Sequence, residues 1–400
     1  MLKDKYICIA YIFLWGFYNT QGLFGLTGST LTQLLILFLT AVSLFYTFAA
    51  HLQGKVPVYL WTLDGFLLLL TGYGVAYMFS DGVALYVDEK TNTFNYIKTI
   101  YNSLLPIYFF YYYSRKGVLT ETFMKKLTVW FLLLVYLEYW TNEIQIRREM
   151  AMKDLEEYDE LVNNMGYAFL SLIPAIAFWE KRVAVQYAML LYIVVFVFLG
   201  MKRGAILICL VCVALFLWKS VKNASRQQKG VMLLMTVLVM VVTAIWVKYL
   251  METSLSFNKR LVDTMQGYTS GRDYLYASCV DYVLHRTTDV QFLFGSGAMA
   301  TLEVTRSNVA HNDWLELAVN QGMLGVLFYI VYWLGFFYQW RSVRNDPKLY
   351  FIVGILLFIY LAKTLFSMSY GGMNIYSTSV LGYCVGTACE NHEKENHMLD

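Results

Sequence analysis

The sequence predicts an all-α, polytopic membrane protein, and three observations carry that prediction. Apolar residues make up 58% of the 400 residues and charged residues only 15%, while the mean hydropathy is +0.49, all outside the range of soluble domains. Apolar runs long enough to cross about 30 Å of hydrocarbon recur along the whole chain. Lys and Arg cluster in every second gap between those runs, as the positive-inside rule requires.

The apolar runs predict about twelve transmembrane helices. Their centres lie near Trp15, Leu39, Leu67, Ile107, Leu132, Leu172, Ile193, Val211, Val239, Tyr329, Leu356 and Gly382. The Lys- and Arg-rich gaps place both termini in the cytoplasm and the alternate gaps outside, in the periplasm of a Gram-negative cell.

This layout divides the chain into four parts. Residues 1–251 would hold transmembrane helices one to nine, 252–313 a large periplasmic loop, 314–389 helices ten to twelve, and 390–400 a cytoplasmic tail. The polar composition of that tail predicts disorder.

Composition also excludes several classes of function. A net charge of +3 is too small to indicate a nucleic-acid partner. Cys209 and Cys212 lie in the middle of an apolar run without a histidine or acidic residue nearby, so this pair is interpreted as structural. No disulfide framework, metal or cofactor is predicted.

Two cations break the charge rule in a short external turn, the sequence GMKRGA between two apolar runs. A cation that faces lipid costs about 2.5 to 3.5 kcal/mol on insertion scales, so Arg203 is expected to face a cavity or an anion. The alternative is that Lys202 and Arg203 both extend to phospholipid headgroups.

The large external loop contains a predicted amphipathic helix. Ser270 is a candidate N-cap with Asp273 three residues later, and apolar residues follow at helical spacing. These residues are Leu275, Tyr276, Cys279, Val280, Val283 and Leu284. Arg272 would lie in the first turn, where the helix dipole disfavours a cation, so an anionic partner is a more attractive interpretation than simple solvation.

The loop ends in the sequence AHNDWLE. Asp313 is a plausible N-cap with Glu316 three residues later, which would leave His311 just outside a helix N-terminus. That position would lower the pKa of the imidazole and favour its neutral form. The alternative is that His311 is an ordinary polar residue at the membrane edge.

These motifs together resemble a known family. The order of G-R, F-G-x-G, H-N-x-x-L-E and G-x-x-G over residues 270–332 resembles the C-terminal signature region of the O-antigen polymerase and ligase superfamily. The MKRGA turn also resembles the arginine between two central helices of that family. Members often carry an acidic residue shortly before G-x-x-G, where this chain has Asn320, so Glu316 is the nearest substitute.

The resemblance implies a GT-C-like glycosyltransferase architecture and a donor glycan carried on undecaprenyl diphosphate. Arg203 and Arg272, with Lys202, would bind the diphosphate leaving group in place of a metal ion. His311 would be the base that activates the acceptor hydroxyl, with Glu316 or Glu303 as alternatives. Direct displacement makes the transfer inverting and independent of metal.

The resemblance favours a polymerase of O-antigen or capsular polysaccharide in the bacterial inner membrane. The alternatives are an O-antigen ligase that transfers the polymer to the lipid A core, and a lipid-linked oligosaccharide flippase, for which Asp64 is the only deep acidic candidate. The expected partners are undecaprenyl-diphosphate-linked glycans as donor and acceptor, membrane lipid, and a chain-length regulator.

Overall fold

A computed structural model of the protein describes most of the chain. The described residues are 2–54, 56–79, 93–152, 163–223, 226–253, 258–259, 262, 266–267, 269, 271–306 and 308–399. Within these ranges the chain forms α-helices, short 3-10 segments and one π-helical segment, and no β-strand. The predicted all-α class is therefore confirmed.

The α-helices fall into two groups, before and after residue 254. Those before it are α1 (Leu2–Asn19), α2 (Thr30–Leu52), α3 (Val58–Met78), α4 (Thr93–Leu104), α5 (Pro106–Arg115), α6 (Glu121–Met152), α7 (Gly166–Leu170), α8 (Val183–Leu199), α9 (Arg203–Asn223) and α10 (Arg226–Thr253). Those after it are α11 (Arg272–Asp281), α12 (Asp289–Phe294), α13 (Ala300–Val304), α14 (Asp313–Asn320), α15 (Gly322–Ser342), α16 (Pro347–Phe366) and α17 (Ile375–Leu399).

Six helices of the described residues are long and apolar enough to cross a membrane. The candidate spans are Thr30–Leu52, Val58–Tyr77, Arg203–Lys222, Lys229–Thr253, Gly322–Ser342 and Pro347–Phe366. Each coincides with one of the predicted apolar runs, so the protein is a multi-pass membrane protein by length and composition. The remaining predicted spans stay a prediction.

Two sequence predictions differ from the observed helices. The run predicted as a span near Leu172 is the short helix α7 followed by a 3-10 segment, Ile173–Trp179, because Pro174 lacks an N–H and cannot continue an α-helical ladder. The C-terminal tail, predicted to be disordered, continues α17 to Leu399.

The chain forms two compact units. The first contains residues 1–35 and 119–268, and the second contains residues 36–118 and 269–400. In the first unit, α1 packs on α6, and Gly16 lies against the side chain of Leu134. Helix α8 packs on the 3-10 segment and on α10.

The second unit contains the loop motifs, and its helices α3 and α15 are joined by aromatic rings. Phe66 on α3 lies 5.1 Å from the Tyr329 ring, and Tyr329 stacks on Tyr332 at 5.9 Å. Each ring buries a large apolar surface and adds an edge or face contact. This aromatic core supports the helix that leads out of the signature region.

Asp64, the candidate proton-coupling residue of the flippase alternative, has its partners inside the second unit. Its Oδ2 lies 2.8 Å from His51 Nε2, and the Tyr108 hydroxyl donates a hydrogen bond to its Oδ1. Asp64 is half-buried, and these two contacts account for its position in the second unit.

Candidate functional site

His311 lies in a bend whose backbone is held on both sides. Its φ of 54° is in the left-handed region, which histidine tolerates better than most residues but still at some cost. On one side the Ala310 N–H donates to Glu316 Oε2 at 2.8 Å, and on the other the Asn312 side chain accepts from Trp314 N and Leu315 N. The bend therefore fixes the direction in which the half-buried imidazole leaves the chain.

The predicted N-cap of helix α14 is wrong by one residue. Asn312 caps the helix, and Asp313 is its first helical residue. The Asp313 carboxylate is fully buried and accepts the Ser369 N–H at 3.0 Å and 2.9 Å, as well as a hydrogen bond from the Tyr329 hydroxyl. Burial raises the pKa of the Asp313 carboxyl to about 7. Asp313 thus anchors α14 to the connection between α16 and α17.

Glu316 was predicted to close a capping box, and it instead reaches back to the residue before His311. Its side chain is 4% exposed, and its carboxylate accepts the Ala310 N–H and the Asn320 amide. Burial raises the pKa of Glu316 to about 7. It also lines an apolar cavity of about 220 Å³ with Asn320 and Tyr370.

Asn320, which precedes the G-x-x-G motif, is a structural bridge. Its Oδ1 accepts from Thr301 N at 2.9 Å and from Thr301 Oγ1 at 2.8 Å, while its amide nitrogen donates to Glu316 Oε1 at 3.3 Å. An amide can accept at one end and donate at the other, whereas an ionised carboxylate can only accept. Asn320 therefore satisfies a buried carboxylate that a second acid would repel.

Two glycines let the F-G-x-G loop pack directly on the end of helix α14. A Cβ on Gly295 would lie 2.3 Å from Asn320 O, and a Cβ on Gly322 would lie 2.4 Å from Gly295 N. Ser296 N donates to Val319 O and Gly297 N to Asn320 O, both at 3.0 Å. The loop backbone thus satisfies carbonyls that the end of α14 leaves unpaired.

Replacing Gly322 with alanine is expected to lower the free energy of unfolding by about 2 to 4 kcal/mol, because its φ of 65° and the backbone contact both exclude a methyl group. Thermal unfolding of the purified protein in detergent measures this change. Gly230→Ala is the matched control, since a Cβ there meets open space in helix α10. Equal unfolding temperatures for the two variants would contradict the close packing.

Arg272 is the first residue of helix α11 and is half-buried. The capping prediction for this helix is wrong: the N-cap is Gly271, in a left-handed conformation with φ of 75°, and Ser270 lies outside the described residues. The Asp273 carboxylate instead accepts from the Thr269 hydroxyl. Glycine at this position lets the chain turn sharply into the helix.

Tyr276 joins helix α11 to the His311 bend. Its hydroxyl donates a hydrogen bond to Leu365 O at 3.1 Å and lies 3.5 Å from His311 O. Residues four apart lie on the same face of a helix, so Arg272 lies on the face that Tyr276 turns toward His311. The structure thus brings the predicted Arg272 and His311 segments together.

The predicted apolar stripe of α11 is only partly buried. Cys279 and Val283 pack with Ala310 and Val319 in a small core, whereas Val280 and Leu284 are exposed. Burial raises the pKa of the Cys279 thiol to about 12, so this cysteine is a packing residue. The stripe is therefore wider than the face that packs in this core, and two of its six residues remain accessible.

The turn that carries Lys202 and Arg203 belongs to the first unit. It is as short as predicted, because α8 ends at Leu199 and α9 begins at Arg203. Met201 has a φ of 52°, and a Cβ on Gly200 would lie 3.0 Å from Asn163 O. This close approach fixes the turn, and Lys202 and Arg203 are both half-buried.

Sequence reasoning missed three residues that hold the site, namely Tyr276, Tyr329 and Ser369. Tyr276 was assigned to the apolar stripe and Tyr329 to a span, since a tyrosine in an apolar run carries no sign that its hydroxyl has a partner.

Glu303, the other alternative base, is exposed on α13. Among the described residues, no three His, Cys, Asp or Glu side chains are arranged to hold a metal ion.

A known family matches the part of the chain that contains this arrangement. Residues 188–330 match the family model described as O-antigen ligase. The resemblance to the O-antigen polymerase and ligase superfamily is confirmed. The matching segment covers about a third of the chain and contains Arg203, Arg272, His311, Glu316 and the two glycines Gly295 and Gly322. Searches of curated proteins and of solved structures gave no match.

Proposed function

We propose that the protein is a glycosyltransferase that polymerises undecaprenyl-diphosphate-linked repeat units into O-antigen or capsular polysaccharide. The observation that carries the proposal is the hydrogen bonding of Tyr276, which joins the helix of Arg272 to the bend of His311 within the segment that matches O-antigen ligase. Arg272 can bind the anionic lipid diphosphate, and His311 can accept the proton of the acceptor hydroxyl, so this arrangement suits transfer of a glycan from its lipid carrier.

The leaving group is the lipid diphosphate. Its negative charge grows as the bond between the anomeric carbon and the phosphate oxygen breaks, so donors aimed at that charge lower the barrier. Arg272 and Arg203 supply planar guanidinium groups that bind phosphate oxygens in pairs, with Lys202 as a further cation. No metal ion is required for this step.

The nucleophile is a hydroxyl of the acceptor glycan. As its oxygen attacks the anomeric carbon, a nitrogen of His311 takes the hydroxyl proton, and the electron pair of the broken bond leaves with the diphosphate. Attack opposite the leaving group inverts the anomeric centre. Glu316 supports this role by holding Ala310, and Glu316 and Glu303 remain the alternative bases.

We place this reaction at the periplasmic face of the bacterial inner membrane, with both termini cytoplasmic and about twelve spans in total. The alternation of Lys and Arg between apolar runs supports that orientation, and the six apolar helices support the membrane location. Membrane lipid surrounds the substrate, and a chain-length regulator is a candidate partner.

An O-antigen ligase is the second candidate function. The description of the matching family model favours it, and the chemistry would be the same with the lipid A core as acceptor. The two functions differ only in the molecule that supplies the hydroxyl.

Deletion of the gene followed by analysis of the glycolipids separates these functions. A polymerase deletion is expected to leave core capped with a single repeat unit, since transfer to the core continues without chain growth. Bare core with accumulated lipid-linked polymer would identify the ligase instead. Repeat units retained at the cytoplasmic face would contradict both and identify a flippase.

A further inference from the structure

A polar cleft lies beside the site just described, between helices α11 and α13. Its volume is about 560 Å³, within the range of roughly 300 to 1,000 Å³ typical of small-molecule sites. Tyr274, Ser278 and Asp281 line it from α11, on one helical face. Neither His311 nor Arg272 lines it, so the cleft is a separate feature of the second unit.

Three of the residues that line the cleft have small side chains. Ala277 and Ser278 lie on α11 and Ala300 on α13, so the two helices approach without filling the space between them.

The rim of the cleft combines an aromatic ring with paired charges. Tyr274 is 58% exposed, which leaves most of its ring available for stacking. Arg286 Nη2 lies 2.6 Å from Asp281 Oδ2, so the guanidinium is held in position while its side chain is 69% exposed. Glu303 and Arg306 provide a second acid and a second guanidinium.

The charges at the rim of the cleft favour a neutral ligand over an anionic one. Two carboxylates offset two guanidiniums, so the cleft has no excess of positive charge to attract a phosphate. A sugar hydroxyl both donates and accepts hydrogen bonds, and it is matched by a carboxylate acceptor next to a guanidinium donor. The apolar face of a sugar ring also packs on an exposed tyrosine. This chemistry fits a saccharide.

The backbone at the cleft is irregular in a way that supports a binding role. Residues Tyr282–Arg286 form a π-helical segment, a conformation that is rare and frequent at functional sites. The Tyr282 hydroxyl bonds Ser296 Oγ at 2.8 Å, which ties this segment to the F-G-x-G loop. The wall that carries Arg286 is therefore fixed before any ligand binds.

We infer that this cleft binds sugar residues of the glycan substrate, with Tyr274 stacking on a ring and the side chains of Asp281, Arg286, Glu303 and Arg306 holding hydroxyl groups. The inference rests on the proposed function, because Arg272 and Tyr274 share the first turn of α11. A glycan whose diphosphate lies at Arg272 would extend along the same helix. The cleft then recognises the repeat unit, whereas Arg272 and His311 act on the reacting bond.

The test uses the full-length protein in nanodiscs and two probes. One is the lipid-linked repeat unit extracted from a deletion strain, and the other is the oligosaccharide released from it by mild acid. Tyr274→Ala and Arg286→Ala are expected to raise KM for the lipid-linked probe about tenfold, with kcat changed less than about twofold. Both variants should also lose the saturation-transfer-difference NMR signal of the released oligosaccharide, which reports its binding to the protein. Tyr338→Ala, a tyrosine with the same 58% exposure on α15, should change neither.

The possible results distinguish failure of the cleft proposal from failure of the proposed function. An active protein whose KM and saturation transfer are unaffected in both variants overturns the cleft. Displacement of the oligosaccharide by inorganic diphosphate in a manner that requires Arg286 also overturns it, since the cleft would then be an anion site. A protein that transfers no lipid-linked glycan yet binds the oligosaccharide through Tyr274 supports the cleft and overturns the proposed function.

Discussion

His311→Asn is expected to lower kcat for glycan transfer by about 10² to 10⁴, the usual contribution of a general base. Asparagine is the informative replacement because it tolerates the left-handed backbone that His311 adopts, with φ of 54°, while it cannot take a proton at neutral pH. The Asn312 cap and the Glu316 contact with Ala310 are then preserved. A radiolabelled lipid-linked repeat unit in nanodiscs gives kcat and KM separately.

The control for this variant is His392→Asn, at a histidine near the end of α17, in the tail predicted to be cytoplasmic. It should retain full activity. If His311→Asn also keeps its kcat while Glu316→Gln loses it, the base is Glu316. The pKa of Glu316, raised to about 7 by burial, would then make the rate rise as the pH increases through neutrality, when the carboxyl loses its proton.

Arg272→Ala is expected to lower kcat by about 10² to 10³, because it removes a donor to the charge that develops on the leaving diphosphate. Arg272→Lys should recover little of this loss, since an ammonium cannot reproduce a bidentate guanidinium contact. Arg344→Ala, at an exposed arginine in a predicted cytoplasmic gap, is the control. Full activity of a normally inserted Arg272→Ala protein would refute the leaving-group role.

A double variant, Arg203→Ala with Arg272→Ala, tests whether the two arginines act on the same group. If both arginines bind the same diphosphate, the loss in the double alanine variant should be smaller than the product of the two single losses. Multiplicative losses would mean that the two arginines act independently, and Arg203 would then more simply bind a phospholipid headgroup.

The helical architecture was largely predictable because the length of an apolar run, which can be read from the sequence alone, determines whether a helix can cross the membrane. The spans at Thr30–Leu52 and Pro347–Phe366 follow from apolar length alone, and the short turn before Arg203 follows from the charges that interrupt an apolar run. The break near Pro174 was missed because the prediction of this span used only the apolar length of the run, whereas the proline within it interrupts the α-helical ladder.

The details of the site depend on contacts between distant residues, and these were not predictable. Asn312 and Asp313 are both good N-caps by residue type, and the choice between them is made by Ser369, whose N–H binds Asp313 from 56 residues further along the chain. Asn320 likewise gains its role from Thr301, which nothing in the local sequence identifies as a partner.

The interlocked Gly295 and Gly322 have a consequence for how this protein can diversify. A Cβ on Gly295 would meet the backbone of Asn320 and Gln321, and a Cβ on Gly322 would meet the backbone of Gly295, so neither position accepts a side chain. Tyr274 and Glu303 are surface residues and can change without disturbing that joint. A chain built in this way can acquire a preference for a new sugar by altering its cleft, while the framework that carries the chemistry is inherited intact.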